Sequence, residues 1–255
     1  MCVLFVAWQV RPETPLIVAS NRDEAHARPT APADWWPDCP NVLAGRDLEA
    51  GGTWGGVNRN GHWAIVTNVR EPRWFGYEAE RSRGRLVADV LCGESAPAED
   101  AARAVAEQEA YAGFNLLVGD RETLWYAATG QRAPQALAPG FYGLSNAALD
   151  TPWPKIARGG AAFQTWVEDG AADDEALFAI MRDETRADDD ALPSTGVGRA
   201  HERVLSPLFI RSLDYGTRAT TLLRFGASGR MDFAERPFGP NGAPGTERRY
   251  TVETS

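Results

Sequence analysis

The chain has 255 residues, of which 44% are hydrophobic and 24% are charged, and its formal net charge is -9. Such an acidic chain is not expected to bind nucleic acid, because neutralising phosphates requires clustered Lys and Arg side chains. No stretch approaches the roughly 18 apolar residues of a membrane span, so we expect no transmembrane segment. No linker-like composition divides the chain, and we predict a single domain over residues 1–255.

The three cysteines, Cys2, Cys39 and Cys92, are an odd number without C-x-x-C spacing. This pattern predicts neither a disulfide framework nor a structural zinc site, and we expect no metal and no cofactor. The first apolar run lacks the basic segment of a signal peptide and ends at Arg11. We therefore expect a cytoplasmic protein.

A β-hairpin is the first element that the sequence predicts. The apolar run 2–10 and the β-rich run 16–20 flank a polar, Pro-rich segment, which is typical of two antiparallel strands and their turn. Counting back from a turn centred in this segment, antiparallel pairing places Cys2 beside Arg22 or Asp23.

The rest of the chain alternates between blocks of strands and blocks of helices. Residues 25–42 are rich in Pro, Asp and Trp, and this composition predicts a long surface loop. The predicted strands are 43–47, 51–57, 62–68, 114–119, 123–127, 140–144, 218–225, 230–236 and 248–253, and the predicted helices are 82–91, 98–111, 154–167 and 174–182. This order predicts an α+β fold with two antiparallel sheets.

Cys2 is the first candidate catalytic residue. Removal of Met1 would leave a thiol and a free α-amine on one residue. An α-amino group with a pKa of about 7.7 to 8.0 can accept the thiol proton near neutral pH. The alternative is that Cys2 only packs in a strand, since cysteine is among the most often buried residue types.

The tetrapeptide Asn-Arg-Asp-Glu at residues 21–24 lies beside Cys2 in the predicted hairpin. A guanidinium at Arg22 lowers the pKa of a nearby thiol and can hold an acyl oxygen, and the Asp23 carboxylate can orient an amine. The alternative is a surface charge run that ends a strand.

Asn68 and Asn146 are candidates for the oxyanion site that acyl transfer requires. Each lies at the predicted end of a strand. An amide N–H aimed at the developing oxyanion stabilises the transition state. The alternative is an asparagine in a turn, which takes no part in chemistry.

Other motifs for catalysis or metal binding are incomplete. The segment 143–147 matches G-x-S-x-G except at its last position, where Ala147 replaces glycine. The pattern also does not predict the parallel sheet of an α/β-hydrolase. His201 and Glu202 lack the second histidine of H-E-x-x-H. His26 and His62 are interpreted as ordinary polar residues rather than metal ligands.

Several ordered motifs together resemble the NRDE family, which is named for the tetrapeptide at residues 21–24. The resemblance covers residues 2–223, and the motifs are far more specific together than any one of them is alone. They are Met1-Cys2 and the segments 21–24, 51–56, 67–68, 143–146, 149–155 and 215–218.

The resemblance implies an N-terminal-nucleophile hydrolase fold, a four-layer αββα sandwich of two antiparallel sheets flanked by helices. Members of this superfamily with an N-terminal cysteine cleave linear amide bonds, which implies a hydrolase that acts on a small-molecule amide or thioester. Cys2 is then the nucleophile and base, and Arg22 and Asp23 support its thiolate and amine. The remaining assignments are two oxyanion candidates and one polar support: Asn68, Asn146 and Arg218.

The resemblance leaves a second class of function open, a binding or trafficking protein that keeps the fold without the reaction. NRDE proteins are linked to haem mobilisation and to the handling of acyl-CoA and lipids. Cys2 and His26 are the predicted axial ligands of a haem. A flat or greasy ligand would suit a cleft lined by tryptophans. The candidates are Trp35, Trp36, Trp54, Trp63 and Trp74.

Overall fold

The structure, a computed structural model, describes residues 2–170 and 172–253. In chain order its strands are β1 (Cys2–Trp8), β2 (Leu16–Ala25), β3 (Thr30–Trp36), β4 (Cys39–Asp47), β5 (Gly55–Asn58), β6 (Trp63–Asn68), β7 (Phe114–Gly119), β8 (Leu124–Ala128), β9 (Gln135–Ala136), β10 (Gly140–Leu144), β11 (Tyr215–Phe225), β12 (Arg230–Pro237) and β13 (Arg248–Glu253). Its helices are α1 (Arg83–Cys92), α2 (Pro97–Ala106), α3 (Pro154–Glu168), α4 (Asp174–Met181) and α5 (Arg199–Val204). Within these ranges no helix has the length and apolar character needed to cross a membrane.

The strands form two antiparallel sheets, and helices cover the outer face of each. One sheet has the order β10-β1-β2-β11-β12-β13, and the other has the order β3-β4-β5-β6-β7-β8-β9. Helices α3 and α4 pack on the first sheet, and α1 and α2 pack on the second. The result is an αββα sandwich, which confirms the predicted α+β fold of four layers.

Strand β1 lies between β2 and β10 and is buried on both faces. Leu4 and Val6 pack in the core between the sheets, whereas Val3 and Phe5 pack in the core beneath α3 and α4. Because side chains alternate along a strand, burial of both faces requires the continuous apolar run seen in the sequence. Cys2 begins this strand on the same face as Leu4 and Val6.

The first hairpin has the register that the sequence predicts. Strands β1 and β2 pair antiparallel, with Cys2 opposite Arg22 and Leu4 opposite Ser20. Residues directly opposite each other share one face of the sheet. The thiol and the guanidinium therefore both belong to the face between the two sheets.

The prediction of a long loop over residues 25–42 is wrong. Most of this region forms the end of β2, all of β3 and the start of β4, and β3 is an edge strand of the second sheet. Pro32 is tolerated there because an edge strand leaves one row of backbone groups unpaired. Pairing between β3 and β4 is also irregular between Ala31 and Asp34. Helix α5 was not predicted either.

The expectation of no disulfide is also wrong. Cys39, the first residue of β4, and Cys92, the last residue of α1, form a disulfide with a Cα–Cα distance of 6.1 Å. Their separation of 53 residues matches no short motif, so the spacing of cysteines could not indicate the pair. Cys2 remains as a free thiol.

Candidate active site

A cavity of about 160 Å³ lies at Cys2, the first residue of β1. Both sheets and the start of α1 contribute to its wall. Four of the predicted site residues line it: Cys2, Arg22, Asp23 and Asn68. The other two, Asn146 and Arg218, lie behind this lining and contact residues near it.

Cys2 is half-buried. Its backbone carbonyl accepts a hydrogen bond from Ser145 Oγ at 3.0 Å, which ties the start of β1 to the end of β10. Burial raises the pKa of the thiol, Asp23 adds to that effect and Arg22 opposes it. Because the thiolate is the reactive form, this thiol needs a base close by. The predicted removal of Met1 concerns a residue outside the ranges that the structure describes.

Arg22 is held against the opposite sheet. Its guanidinium lies 4.3 Å from the ring centroid of Trp54, and Nη1 donates to Thr30 Oγ1 at 3.1 Å. Only 5% of Arg22 is exposed. A stacked and hydrogen-bonded guanidinium is fixed in place, so Arg22 supplies a positive charge at a defined position beside the thiol.

Asp23 belongs to a buried polar cluster that includes Lys155 of α3. Asp23 Oδ1 accepts a hydrogen bond from Thr217 Oγ1 at 2.7 Å. Burial raises the pKa of Asp23, and the positive charge of Lys155 lowers it by a smaller amount. Lys155 Nζ donates to the carbonyl of Leu205 at 3.2 Å. Burial lowers the pKa of Lys155 to about 8 in spite of Asp23. Lys155 therefore stays protonated at neutral pH and favours the ionised form of Asp23.

The two candidate oxyanion residues differ in their positions. Asn146 Nδ2 donates to the backbone carbonyl of Asn68 at 3.1 Å and to Asn68 Oδ1 at 2.9 Å. Both amide protons of Asn146 are thereby used on Asn68. Since Oδ1 of Asn68 accepts one of these bonds, the Nδ2 group of Asn68 remains as the donor that a ligand in the cavity can meet.

Arg218 supports the chain behind Arg22 rather than the cavity at Cys2. Strand β11 has a β-bulge at Arg218, opposite Arg22 and Asp23. Its Nη1 donates to the carbonyls of Ala25 and Arg28 at 2.8 and 3.1 Å. A bulge commonly redirects one side chain, and here it directs Arg218 to the connection between β2 and β3.

The sequence patterns did not indicate five of the polar residues that line the cavity, which are Arg28, Asp47, Thr53, Ser82 and Arg83. Thr53 lies against the start of α1, where its backbone N–H donates to the carbonyl of Gly84 at 3.1 Å. A Cβ on Gly52 would lie 2.4 Å from the carbonyl carbon of Gly84. The glycine-rich block 51–56 was therefore the available signal, because repeated glycines mark positions where backbones meet.

Cys2 and His26, the predicted axial ligands of a haem, do not line the same cavity. The imidazole of His26 lies beside Gly216, where a Cβ would approach Nε2 to 3.2 Å. Burial lowers the pKa of His26, and the charge of Arg218 lowers it further. Among the tryptophans singled out by the sequence, Trp54 lines the cavity.

Two antiparallel sheets packed face to face, with helices outside, form the N-terminal-nucleophile hydrolase fold. Solved structures agree. A variant of the conjugated bile acid hydrolase from Clostridium perfringens aligns with a TM-score of 0.52 and 10% identity, over 99% of this chain and 92% of that chain. A second variant of the same enzyme aligns with a TM-score of 0.51 and 11% identity over the same shares. At such identities the likeness shows the fold alone.

The chain belongs to the Transport and Golgi organisation 2 family, whose model matches residues 1–240. The Transport and Golgi organization protein 2 homolog from Bos taurus is 36% identical over 259 residues, and the one from Homo sapiens is 33% identical over 257 residues. Each alignment covers 92% of this chain and 92% of the relative. These matches confirm the NRDE resemblance.

Proposed function

We propose that this chain is a cysteine hydrolase of the N-terminal-nucleophile type that acts on a linear amide or a thioester. The observation that supports it most is the half-buried thiol of Cys2 at the head of a central strand, in a cavity shared with Arg22, Asp23 and Asn68. A nucleophile, a cation, a carboxylate and an amide donor are the groups that acyl transfer requires.

The reaction begins once Met1 is removed and the α-amine of Cys2 is free. The amine takes the thiol proton, the sulfur attacks the carbonyl carbon, and a tetrahedral oxyanion forms. Collapse breaks the C–N or C–S bond, and the ammonium gives its proton to the leaving amine or thiol. Water then attacks the acyl-enzyme with the amine as base, which releases a carboxylic acid and restores the thiol.

The two charged residues of the tetrapeptide have separate roles in this mechanism. The positive charge of Arg22 lowers the pKa of the Cys2 thiol, so it stabilises the thiolate that attacks. Asp23, whose ionised form is favoured by the positive charge of Lys155 against the larger effect of burial, orients the ammonium that forms on Cys2. Arg218 positions the chain around Arg22 and does not touch the reacting atoms.

Asn68 stabilises the oxyanion and Asn146 positions Asn68. We expect Asn68→Ala to lower kcat roughly 10²-fold, as for other single oxyanion donors, and Asn146→Ala to lower it about 10-fold. Because Asn146 acts through Asn68, the double variant is expected to match Asn68→Ala alone. Steady-state kinetics on the four proteins measures this. Independent, multiplying losses would contradict the positioning role of Asn146.

Binding of haem or acyl-CoA without hydrolysis stays a prediction from the family resemblance, as does the cytoplasmic location. The geometry gives little support to haem ligation by Cys2 and His26 together, because Cys2 lines the cavity whereas His26 lies beside Gly216. A saturable Soret shift on titration with haem, lost in Cys2→Ala, would favour the binding function instead.

The proposed function requires an unmasked N-terminal cysteine. We expect the intact mass of the purified protein to lack Met1. We also expect 2-cyanobenzothiazole to label it, since this nitrile condenses with the thiol and α-amine of a terminal cysteine and releases ammonia. Labelling is measured by mass spectrometry, before and after denaturation, because burial of Cys2 slows access in the folded protein.

Cys2→Ser is the matched control for labelling, since it keeps the terminal amine and loses the thiol. Cys39 and Cys92 are internal and carry no α-amine, so they do not give this product even when reduced. Quantitative retention of Met1, with no labelling after denaturation, would rule out the proposed mechanism.

A further inference from the structure

A second cavity, of about 290 Å³, adjoins the first across the stacked pair Arg22 and Trp54, which line both. Three arginines contribute to its wall, Arg22, Arg218 and Arg248. The one carboxyl group in the lining belongs to Glu235. Three positively charged side chains and one carboxyl group thus line a cavity that adjoins the candidate active site.

Two of these arginines keep donors that no group in the described ranges takes up. The hydrogen bonds of Arg218 all leave from Nη1, so Nε and Nη2 remain. Arg248 lies opposite Glu235 in the pairing of β12 with β13, yet it forms no ion pair within residues 2–170 and 172–253. Its neighbour Arg249 pairs with both Asp174 and Glu247. Arg248 is an exposed side chain in the wall of the cavity, and its guanidinium is available to a ligand there.

Glu235 is buried in this wall, with 1% of its surface exposed. Its Oε1 accepts a hydrogen bond from the backbone N–H of Ala33 at 2.7 Å, while Oε2 has no hydrogen-bond partner among the described residues. A buried polar oxygen without a partner costs folding free energy. Such a group points to a binding role rather than to a role in stability.

We propose that the second cavity binds an anionic group, a carboxylate or a phosphate, at the far end of the acyl part of the substrate. The inference rests on the proposed function, because it takes Cys2 as the place where the acyl group is cleaved. Guanidinium groups suit both anions, since their planar N–H donors match the spacing of the oxygens. The carbonyl group of the substrate then lies at Cys2, and the acyl chain of the substrate passes the stacked pair of Arg22 and Trp54.

Glu235 makes anion binding dependent on pH. Arg22 from β2 and Arg248 from β13 act on its charge, the Tyr250 phenol on β13 also interacts with it, and Arg218 from β11 lines the same cavity. Burial nonetheless raises the pKa of Glu235 to about 7. A protonated Glu235 can donate its O–H to the anion, whereas an ionised one repels it. Affinity is therefore highest below pH 7 and falls as the pH rises above it.

Binding to Cys2→Ala protein tests the subsite apart from turnover. The probes are the monoanilides of succinic, adipic and suberic acids, their methyl esters, and the matching anilides that end in a phosphonate. At pH 6 we expect the anionic probe of the best length to bind at least about 10-fold more tightly than its ester, as for one charged hydrogen-bonded contact. Isothermal titration calorimetry measures the ratio.

Two variants and one control refine this test. Arg248→Met is expected to reduce the preference for the anion to less than about 3-fold, whereas Arg249→Met, the next residue on the strand, retains it. Glu235→Gln is expected to bind the anionic probe equally at pH 6 and pH 8. The carboxylate and phosphonate series show which anion the cavity prefers.

Equal affinities for the anionic probes and their esters, or no binding by any probe, would overturn the subsite. Release of aniline by the wild-type protein separates the two proposals. If the acid binds preferentially but no aniline is released, the hydrolase mechanism fails and the subsite stands. If aniline is released equally from acid and ester, the mechanism stands and the subsite fails.

Discussion

Replacement of Cys2 by alanine is expected to lower the kcat for amide or thioester hydrolysis by roughly 10⁴-fold or more, the usual cost of losing a covalent nucleophile. Without the sulfur no acyl-enzyme forms, and binding groups alone leave little rate enhancement. The fold is expected to survive, because the described hydrogen bond to Cys2 from Ser145 uses the backbone carbonyl. Steady-state turnover and thermal melting of both proteins check this.

Controls separate nucleophilic attack from packing at this position. Cys2→Ser keeps the volume and the α-amine but substitutes a weaker nucleophile, so it is expected to retain only slow turnover. Cys39→Ser breaks the disulfide with Cys92, which lies outside the cavity, and the folded variant is expected to leave kcat unchanged. Full activity of Cys2→Ala would disprove the mechanism.

The pH dependence of turnover follows from the environment of the thiol. Burial raises the pKa of Cys2, so the thiolate fraction grows as the pH rises above neutrality. The kcat of the wild-type protein is therefore expected to increase from neutral to alkaline pH.

Replacement of Glu235 by glutamine is expected to stabilise the protein by about 3 kcal/mol above pH 7. Burial raises the pKa of Glu235 from 4.5 to about 7, and a change of that size corresponds to about 3 kcal/mol between the two protonation states. Glutamine keeps an oxygen that can accept from the backbone N–H of Ala33 but has no ionised form. Urea unfolding of both proteins measures the difference.

The sign of the effect fixes its pH window. Between pH 4.5 and about 7 the unfolded chain releases the Glu235 proton while the folded chain keeps it, so wild-type stability falls across this range. The advantage of Glu235→Gln is therefore absent below pH 4.5 and complete above pH 7. The exposed Glu122→Gln serves as the control. An unchanged free energy of unfolding at pH 8 would contradict the raised pKa of Glu235.

Much of the fold could be predicted because it depends on local patterns. The run at residues 2–8 is apolar at every position since both faces of β1 are buried, and the turn after it determines which residue pairs with Cys2. Helices α1, α3 and α4 begin and end near the predicted limits because one face of each is apolar. Helix α2 begins near its predicted limit but ends at Ala106, five residues before the predicted end at 111. The sequence alone therefore predicted that the tetrapeptide at residues 21–24 lies beside the thiol of Cys2.

The remaining features depend on contacts between distant segments. The bulge at Arg218 moves that side chain to the β2–β3 connection, and the motif around it gives no sign of an extra residue. Strand β3 is held by pairing with β4 at a sheet edge, which overrides its loop-like composition. Glu235 and Arg248 meet only when β12 and β13 pair. Neither belongs to a motif, so the second cavity had no signal in the sequence.

Gly45 of β4 shows how the boundary between the two cavities depends on the absence of a side chain. A Cβ there would lie 2.3 Å from two ring carbons of Trp54, and Trp54 is the indole that stacks with Arg22 at 4.3 Å. The glycine of one sheet thus sets the position of the arginine of the other. The spacing of the sheets at Gly45 therefore fixes the point at which a substrate bends between its reacting carbonyl and its far end. Gly45 need not touch the substrate to have this effect.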